Sequence, residues 1–337
     1  MAAPASPRPV TILDVAAAAS VSKSTVSLVL KGSPLIPGET AERVPEAASR
    51  LGYVVNRRAS QLRAGRSNTI AVVINDLMNP FFAEILVGIE RRLVDAGYVV
   101  LMAHTNEDPE RQQQVLQAMR EQGAAGMVLC PAYGTPGSLP KEVESWGIPL
   151  VVMVRTLGPG SYDFAGADNE RGVFEATQYL LDAGHRRIDF LGGQTGVVLE
   201  QRLRGYKRAL SERKIKLDPD LLVSSNPTRQ GGYETMRTLL AKEPKVKAAI
   251  CYNDVVAFGA LAALGESGLR AGQDFALIGF DDVMASEHSN PPLSTVNVHP
   301  SELGEHAAEL LLARIKDPSL KRQIYVAEPN LVIRQSA

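Results

Sequence analysis

Apolar positions follow two different periods along this chain, and the period changes near residue 68. Between Thr11 and Ala19, the apolar residues Ile12, Val15, Ala16 and Ala19 recur at helical spacing and share one face. Thr11 followed by Asp14 is a capping-box-like start, with Asp in place of the usual Glu or Gln. Ser20-Val21-Ser22 interrupts this helix. Ser22 can cap a second one, which carries Val26, Val29 and Leu30 on its buried side and ends at Gly32, a natural C′ residue. A third helix is predicted over Glu39–Leu51, with Val44, Ala47, Ala48 and Leu51 packed under the first two and Gly52 as its stop. Pro45 lies inside it and predicts a kink or a late start, because an interior proline costs about 3 kcal/mol.

Beyond Thr69, short apolar runs alternate with amphipathic segments. Strands are predicted at Ile70–Ile74, Val99–Ala103, Met127–Leu129, Leu150–Val154, Ile188–Leu191, Leu221–Val223, Ala248–Cys251 and Ala276–Phe280. Helices such as Phe82–Ala96, Glu110–Gln122, Glu170–Ala183, Leu199–Glu212, Gly232–Leu240 and Val255–Glu266 lie between them. This βαβα order implies parallel sheets covered by helices on both faces. It runs on too long for one comfortable sheet, so two α/β lobes with a cleft between them are expected. Ligands in such sheets bind beyond the C-terminal ends of the strands.

Composition adds an electrostatic asymmetry. The chain of 337 residues has a net charge of −1. Residues 1–67 hold nine Lys and Arg against four Asp and Glu, whereas the remainder holds 27 against 33. A small basic head on an acidic body is the footprint of a DNA-binding module joined to another domain, although a solvated basic face would give the same count. Cys130 and Cys251 follow apolar runs, lack metal spacing and are expected to be reduced core thiols of a cytoplasmic protein. The opening MAAPASPRPV has no apolar h-region and reads as a frayed arm, and no run approaches the length of a membrane span.

Two short helices joined by a tight turn form a helix-turn-helix or, equally, an ordinary αα-hairpin. In a helix-turn-helix the start of the second helix enters the major groove, and here that start offers Ser22, Lys23, Ser24, Thr25 and Ser27. The stretch NRRASQLRAGRS at 56–67 places Ala59 and Leu62 on one face with Arg57, Arg58, Arg63 and Arg66 around them. It suits either a flexible polar linker or a hinge helix that orders on DNA and wedges Leu62 into the minor groove.

With head, linker and body assembled, the chain resembles the lactose-repressor (LacI/GalR) family of bacterial transcription regulators from Val10 to Ser336. The segments that carry the resemblance include TILDVAAAASVSKSTVSLVL, LGYVVNRRASQLRAGRSNTIAVV, NPFFAEILVGIE, GADNERG, RLRGYKRAL, CYNDVVAFGALAALGESG, ALIGFDD and EPNLVIRQS. The resemblance implies a small all-α helix-turn-helix head plus an α/β body, a two-lobed periplasmic-binding-protein-like fold with parallel sheets. It divides the chain into a disordered arm at 1–9, a DNA-binding domain at 10–55, a hinge helix or linker at 56–67 and an effector-binding and dimerisation domain at 68–337. The N-lobe would span about 68–166 and 296–326, and the C-lobe about 167–295 and 327–337. The implied partners are a near-palindromic double-stranded operator, a small effector and a second copy of the chain; no leucine-heptad tail follows Arg334, which favours a dimer over a tetramer. No cofactor or metal is implied.

Site residues follow from the same match. Lys23 and Ser24 fall at the two main base-reading positions, and Leu28 falls where many members have Arg. Leu cannot make the bidentate contact of Arg to guanine but can touch a thymine methyl. Thr11, Thr25, Ser27, Asn56 and Arg57 complete the DNA face with Ser22, Ala59 and Leu62. In the cleft, Asn75, Phe81, Phe82, Arg155, Arg202, Asn253 and Asp281 are the expected effector contacts. Plain core packing is the alternative for Phe82. Asp282 is expected to cap the following helix. Many members have Asp or Asn where this chain has Val154; with Arg155 and Arg202 nearby, the effector is a sugar, a sugar acid or a phosphosugar, and an anion is favoured if both arginines point into the cleft. Gly192, Gly193 and Gly196 follow a strand without the spacing of a nucleotide loop. The five scattered histidines and the lack of HExxH or GxSxG give an enzyme no support. A solute-binding protein is the alternative, and it would have no use for a basic helix-turn-helix.

Overall fold

The computed structural model describes residues 8, 10–30, 32–33, 35–36, 38–53, 67–242 and 246–337. The expected contacts at Asn56, Arg57, Ala59 and Leu62 lie outside these residues. Two compact units make up the chain, Met1–Ser67 and Asn68–Ala337.

The head is built from α1 (Ile12–Ala18), α2 (Lys23–Val29) and α3 (Gly38–Leu51). The Asp14 carboxylate accepts the backbone N–H and the hydroxyl of Thr11, each at 2.8 Å. Arg8 donates to the same carboxylate at 2.7 Å and, with the Thr11 bonds, pulls its pKa down to about 2. Ser22 Oγ accepts Thr25 N–H at 3.1 Å, which starts α2. Its end is closed by Gly32 (φ 71°), with Gly32 N–H on the Val29 carbonyl and Ser33 N–H on that of Leu28. Val15, Ala16, Ala19, Val26, Val44, Ala47 and Ala48 make the core. Arg43 of α3 donates to the Ala19 carbonyl at 2.6 Å, satisfying a group that α1 leaves open.

α3 starts seven residues ahead of Pro45 and continues past it, so the late start expected from that residue does not occur. Pro45 faces solvent while Val44 and Ala47 face inward. The carbonyl deprived of its helical partner is that of Ala41, four residues back. The helix is held by its buried face despite that loss. Pro45→Ala should therefore stabilise the head by about 2 kcal/mol, the helical penalty of proline less the extra freedom of the unfolded chain. Slower amide exchange across α1 to α3 in the full chain would show it; unchanged exchange would contradict it.

The body contains two six-stranded sheets. The first holds β1 (Thr69–Ile74), β2 (Val99–His104), β3 (Gly126–Leu129), β4 (Leu150–Met153), β5 (Asp163–Ala167) and a late strand, β11 (Ile324–Ala327), in the order β11-β5-β4-β3-β1-β2, all parallel. The second holds β6 (Asp189–Leu191), β7 (Leu222–Val223), β8 (Ala248–Cys251), β9 (Ala276–Asp281), β10 (Ser294–Asn297) and β12 (Asn330–Val332), in the order β12-β10-β9-β8-β6-β7. Among the described strand pairs of this sheet, β10–β12 is antiparallel and the others are parallel. The connecting helices are α4 (Pro80–Asp95), α5 (Pro109–Glu121), α6 (Leu139–Ser145), α7 (Asn169–Asp182), α8 (Val197–Glu212), α9 (Arg229–Lys242), α10 (Asp254–Glu266) and α11 (Pro300–Lys316). β1, β3, β4 and β8 are almost wholly buried, as strands covered on both faces must be.

Four strands escape the sequence pattern: β5, β10 and β12 are short and mix apolar with polar or glycine positions, and β11 is a four-residue run that is largely exposed. Helical cover is also less complete than expected. The edge strand β2 leaves Val99, Leu101 and Met102 exposed, and α4 exposes Val87 and Val94. Cys130 and Cys251 are free and buried, and burial raises the Cys130 thiol to about 12. Among the described residues no single helix is long and apolar enough to cross a membrane.

Candidate functional site

In the head, Lys23, Ser24 and Leu28 are exposed on α2, and Ser24 and Leu28 lie one turn apart on one face. Ser22 is a cap first: its hydroxyl lies 2.7 Å from that of Ser24 and 2.8 Å from that of Thr25. Thr25 and Ser27 are half-buried, and the polar groups of Thr11 are committed to Asp14.

In the body, a cavity of about 440 Å3 opens where the C-terminal strand ends of both sheets converge. Asn75 and Asp76 follow β1, Asn106 and Glu107 follow β2, Tyr133 follows β3, and Val154 and Arg155 follow β4. From the second sheet come Gln194 after β6, Asn226 and Thr228 after β7, Tyr252 and Asn253 after β8, and Asp281 at the end of β9. Every expected effector contact thus lines one cavity. Phe81 and Phe82 begin α4, whose cap Asn79 accepts Phe81 N–H at 3.1 Å; the two rings meet edge to face at 5.2 Å. They serve both the cavity wall and the core beneath it.

Arg202, on α8, is buried against the plane of Phe280, 3.7 Å from its centroid. Its Nε donates to Asn169 Oδ1 at 3.0 Å, one terminal nitrogen donates to the Tyr252 carbonyl, and the other lies 3.5 Å from Asp281 Oδ1. Burial raises the pKa of Asp281 well above the ordinary carboxylate value, and Arg202 opposes that rise. Asn253 caps α10 through Oδ1, which accepts Val256 N–H at 2.9 Å. Asp282 is no cap: it accepts Arg334 at 2.7 Å, while the 3-10 turn Met284–Ser286 has Val283 at its start. The glycine-rich segment after β6 serves packing; at Gly196 (φ 98°) a Cβ would strike the Tyr133 ring at 2.4 Å.

Arg155 lines the cavity, but its charge is already engaged. It forms a two-pronged pair with Glu107, 2.7 Å on each prong, donates also to the Pro131 carbonyl at 3.1 Å, and stacks 3.9 Å from the Tyr133 centroid. Neither arginine therefore offers a free positive charge. Glu107 and Tyr133 escaped the sequence argument, although the rule of inspecting the residues after each strand applies to both. Val154 occupies the left-handed region (φ 65°), which is strained for a β-branched side chain.

Asp254 anchors the Asn253–Asp281 side of the cavity. It accepts Val283 N–H at 3.0 Å and the hydroxyls of Ser286 and Thr295 at 2.7 and 2.5 Å. Burial pushes it up to about 7 despite those bonds. With an unfolded value near 4, the folded state alone holds this proton between about pH 4 and pH 7. Stability is therefore lost as pH rises through that window. Asp254→Asn keeps the shape and should flatten this part of the slope in urea unfolding from pH 4 to 8; an unchanged slope would refute the assignment.

Comparison with known proteins fits this arrangement. Residues 11–56 match the model of bacterial regulatory proteins, lacI family, and residues 177–337 match the periplasmic binding protein-like domain. The chain is 35% identical to the ribose operon repressor of Haemophilus influenzae, over 97% of this chain and 98% of that one. It is 34% identical to the HTH-type transcriptional repressor PurR of Pasteurella multocida over the same shares. Among solved structures, the lac repressor dimer bound to operator and the anti-inducer ONPF superposes with a TM-score of 0.84 at 26% identity, covering 98% of this chain and 99% of that one. The transcriptional regulator CelR–cellobiose complex gives 0.74 at 32%, covering 98% and 100%.

Proposed function

Because the chain belongs to the lacI family of bacterial regulatory proteins, we propose that it is a dimeric cytoplasmic repressor whose operator affinity is set by a neutral sugar in the body cavity. The observation that carries the effector class is the cavity itself: polar side chains from the strand ends of both sheets, aromatic faces at Phe81, Phe82, Tyr133 and Tyr252, and two arginines already paired with carboxylates. Aromatic faces suit the C–H surface of a sugar ring, and neutral amides suit its hydroxyls. The similarity to a ribose operon repressor and to a regulator bound to cellobiose supports the same class.

Lys23, Ser24 and Leu28 read bases, with Leu28 on a thymine methyl, while Thr11, Ser22, Thr25, Ser27, Asn56 and Arg57 hold the backbone. Leu62, with Ala59 beside it, opens the minor groove between the half-sites. Residues 10–55 form the DNA-binding domain and 56–67 the hinge, with the lobes divided near 166, 296 and 327. The second copy docks on the apolar surface of α4 and β2. Effector and operator are coupled reciprocally, so either affinity reports the other.

Selection of operators from a random DNA pool tests the DNA half. A palindrome of two half-sites is expected, and no enrichment with or without cell extract would refute it. Calorimetry with neutral sugars tests the other half: a sugar that binds should alter affinity for the selected operator, and one that leaves it unchanged is no effector.

A further inference from the structure

We propose that Glu107 is the charge filter of the effector site, selecting neutral polyhydroxylated ligands against their acids and phosphates. The inference rests on the cavity being the effector site. The Glu107 carboxylate accepts four hydrogen bonds: Asn75 Nδ2 at 2.6 Å, both terminal nitrogens of Arg155 at 2.7 Å and Tyr133 N–H at 3.1 Å. Both side chains line the cavity, and Arg155, with 10% of its side-chain exposure left against 31% for Glu107, is the more deeply enclosed of the pair. The charge that would attract an anion is neutralised and withdrawn.

Glu107 also fixes the polarity of Asn75. A carboxylate accepts only, so Asn75 must turn Nδ2 toward it, and Oδ1 then faces the other way. That oxygen is buried and has no hydrogen-bond partner among the described residues. A buried acceptor left unmade is costly, so this orientation of Asn75 is imposed by Glu107 against its own preference. The Glu107 carboxylate thus holds Asn75 and Arg155 together across the ends of β1, β2 and β4. A ligand carboxylate or phosphate meets a negative carboxylate whose neighbouring cation is already compensated.

The test compares each neutral sugar with its own anion by calorimetry: ribose against ribose 5-phosphate, glucose against glucuronate. The quantity read is the ratio of anion to neutral affinity. Wild type should favour the neutral member. E107Q frees Arg155 and should raise the ratio at least tenfold; R155Q leaves the carboxylate alone and should lower it. E107Q/R155Q removes both charges and should give a ratio between those of the two single variants. Opposite movements of the two single variants are beyond a merely structural role, and R155Q with the double variant carries the test if E107Q does not accumulate folded. One ratio across all variants, or wild type favouring the anion, would overturn the filter while leaving the cavity an effector site. Binding of neither class to wild type would overturn the sugar assignment and the filter with it.

Discussion

Arg202→Ala abolishes the effector response and costs the body roughly 3–5 kcal/mol, the scale of breaking a buried ion pair from one side. The side chain is almost wholly enclosed and holds three separate parts of the cavity wall: Asn169 at the start of α7, the Tyr252 carbonyl after β8, and Asp281 at the end of β9. Truncation strands the Asp281 carboxylate without its counter-charge and uncovers the face of Phe280. Sugar affinity should fall at least about a hundredfold, equivalent to roughly 3 kcal/mol. The loss has a pH signature. Burial already raises Asp281 in the folded state, and without Arg202 it rises further, so the variant is least stable at high pH and recovers as the medium becomes acidic enough to keep Asp281 protonated. Urea unfolding at pH 5 and pH 8 reads that difference. Equal destabilisation at both pH values, or retained sugar binding, would show that the pair does not organise the site.

Leu101→Glu combined with Met102→Glu yields a monomer whose operator affinity is lower by about two to four orders of magnitude, the factor that linking two half-site contacts supplies. Both positions are exposed on β2, an edge of the first sheet, beside Val99 and near the open apolar positions of α4. An exposed edge strand bearing large apolar side chains is a pairing surface, and acidic residues there repel their own copies. Because the side chains are exposed, the single subunit should fold and bind sugar as before. Sedimentation velocity reads the assembly state and a binding titration reads the operator. A dimeric variant with wild-type affinity would move the interface elsewhere.

The head was legible because its signals are local. Thr11–Asp14, Ser22 and Gly32 act within a turn of where they sit, and the structure uses each as its spacing implies. The late start that Pro45 implies does not occur, because the buried face of α3 outweighs a local penalty that no single-residue rule can offset. The cavity was legible by a topological rule, since ligand groups gather at strand ends. Its charge was not. Arg155 announces a cation, but its partner Glu107 lies 48 residues earlier in the chain, and only the adjacency of β2, β1, β3 and β4 brings the two together. Asp282 was misread for the same reason: its partner Arg334 lies beyond β12.

The strand order has a consequence during synthesis. β12, at Asn330–Val332, completes the second sheet, and the nearby Ser336 hydroxyl donates to the Leu277 carbonyl while accepting Ser294 N–H. β11, at Ile324–Ala327, likewise completes the first sheet. The helices of the head are finished by Leu51. On the ribosome, then, the DNA-reading unit is free to fold while the sensing unit still waits for its final strands. A polypeptide released early would carry a reader without a finished sensor, blind to the metabolite that should govern it. Full-length translation is thereby a condition for a regulated molecule, and premature termination late in the gene should act as a defect of response.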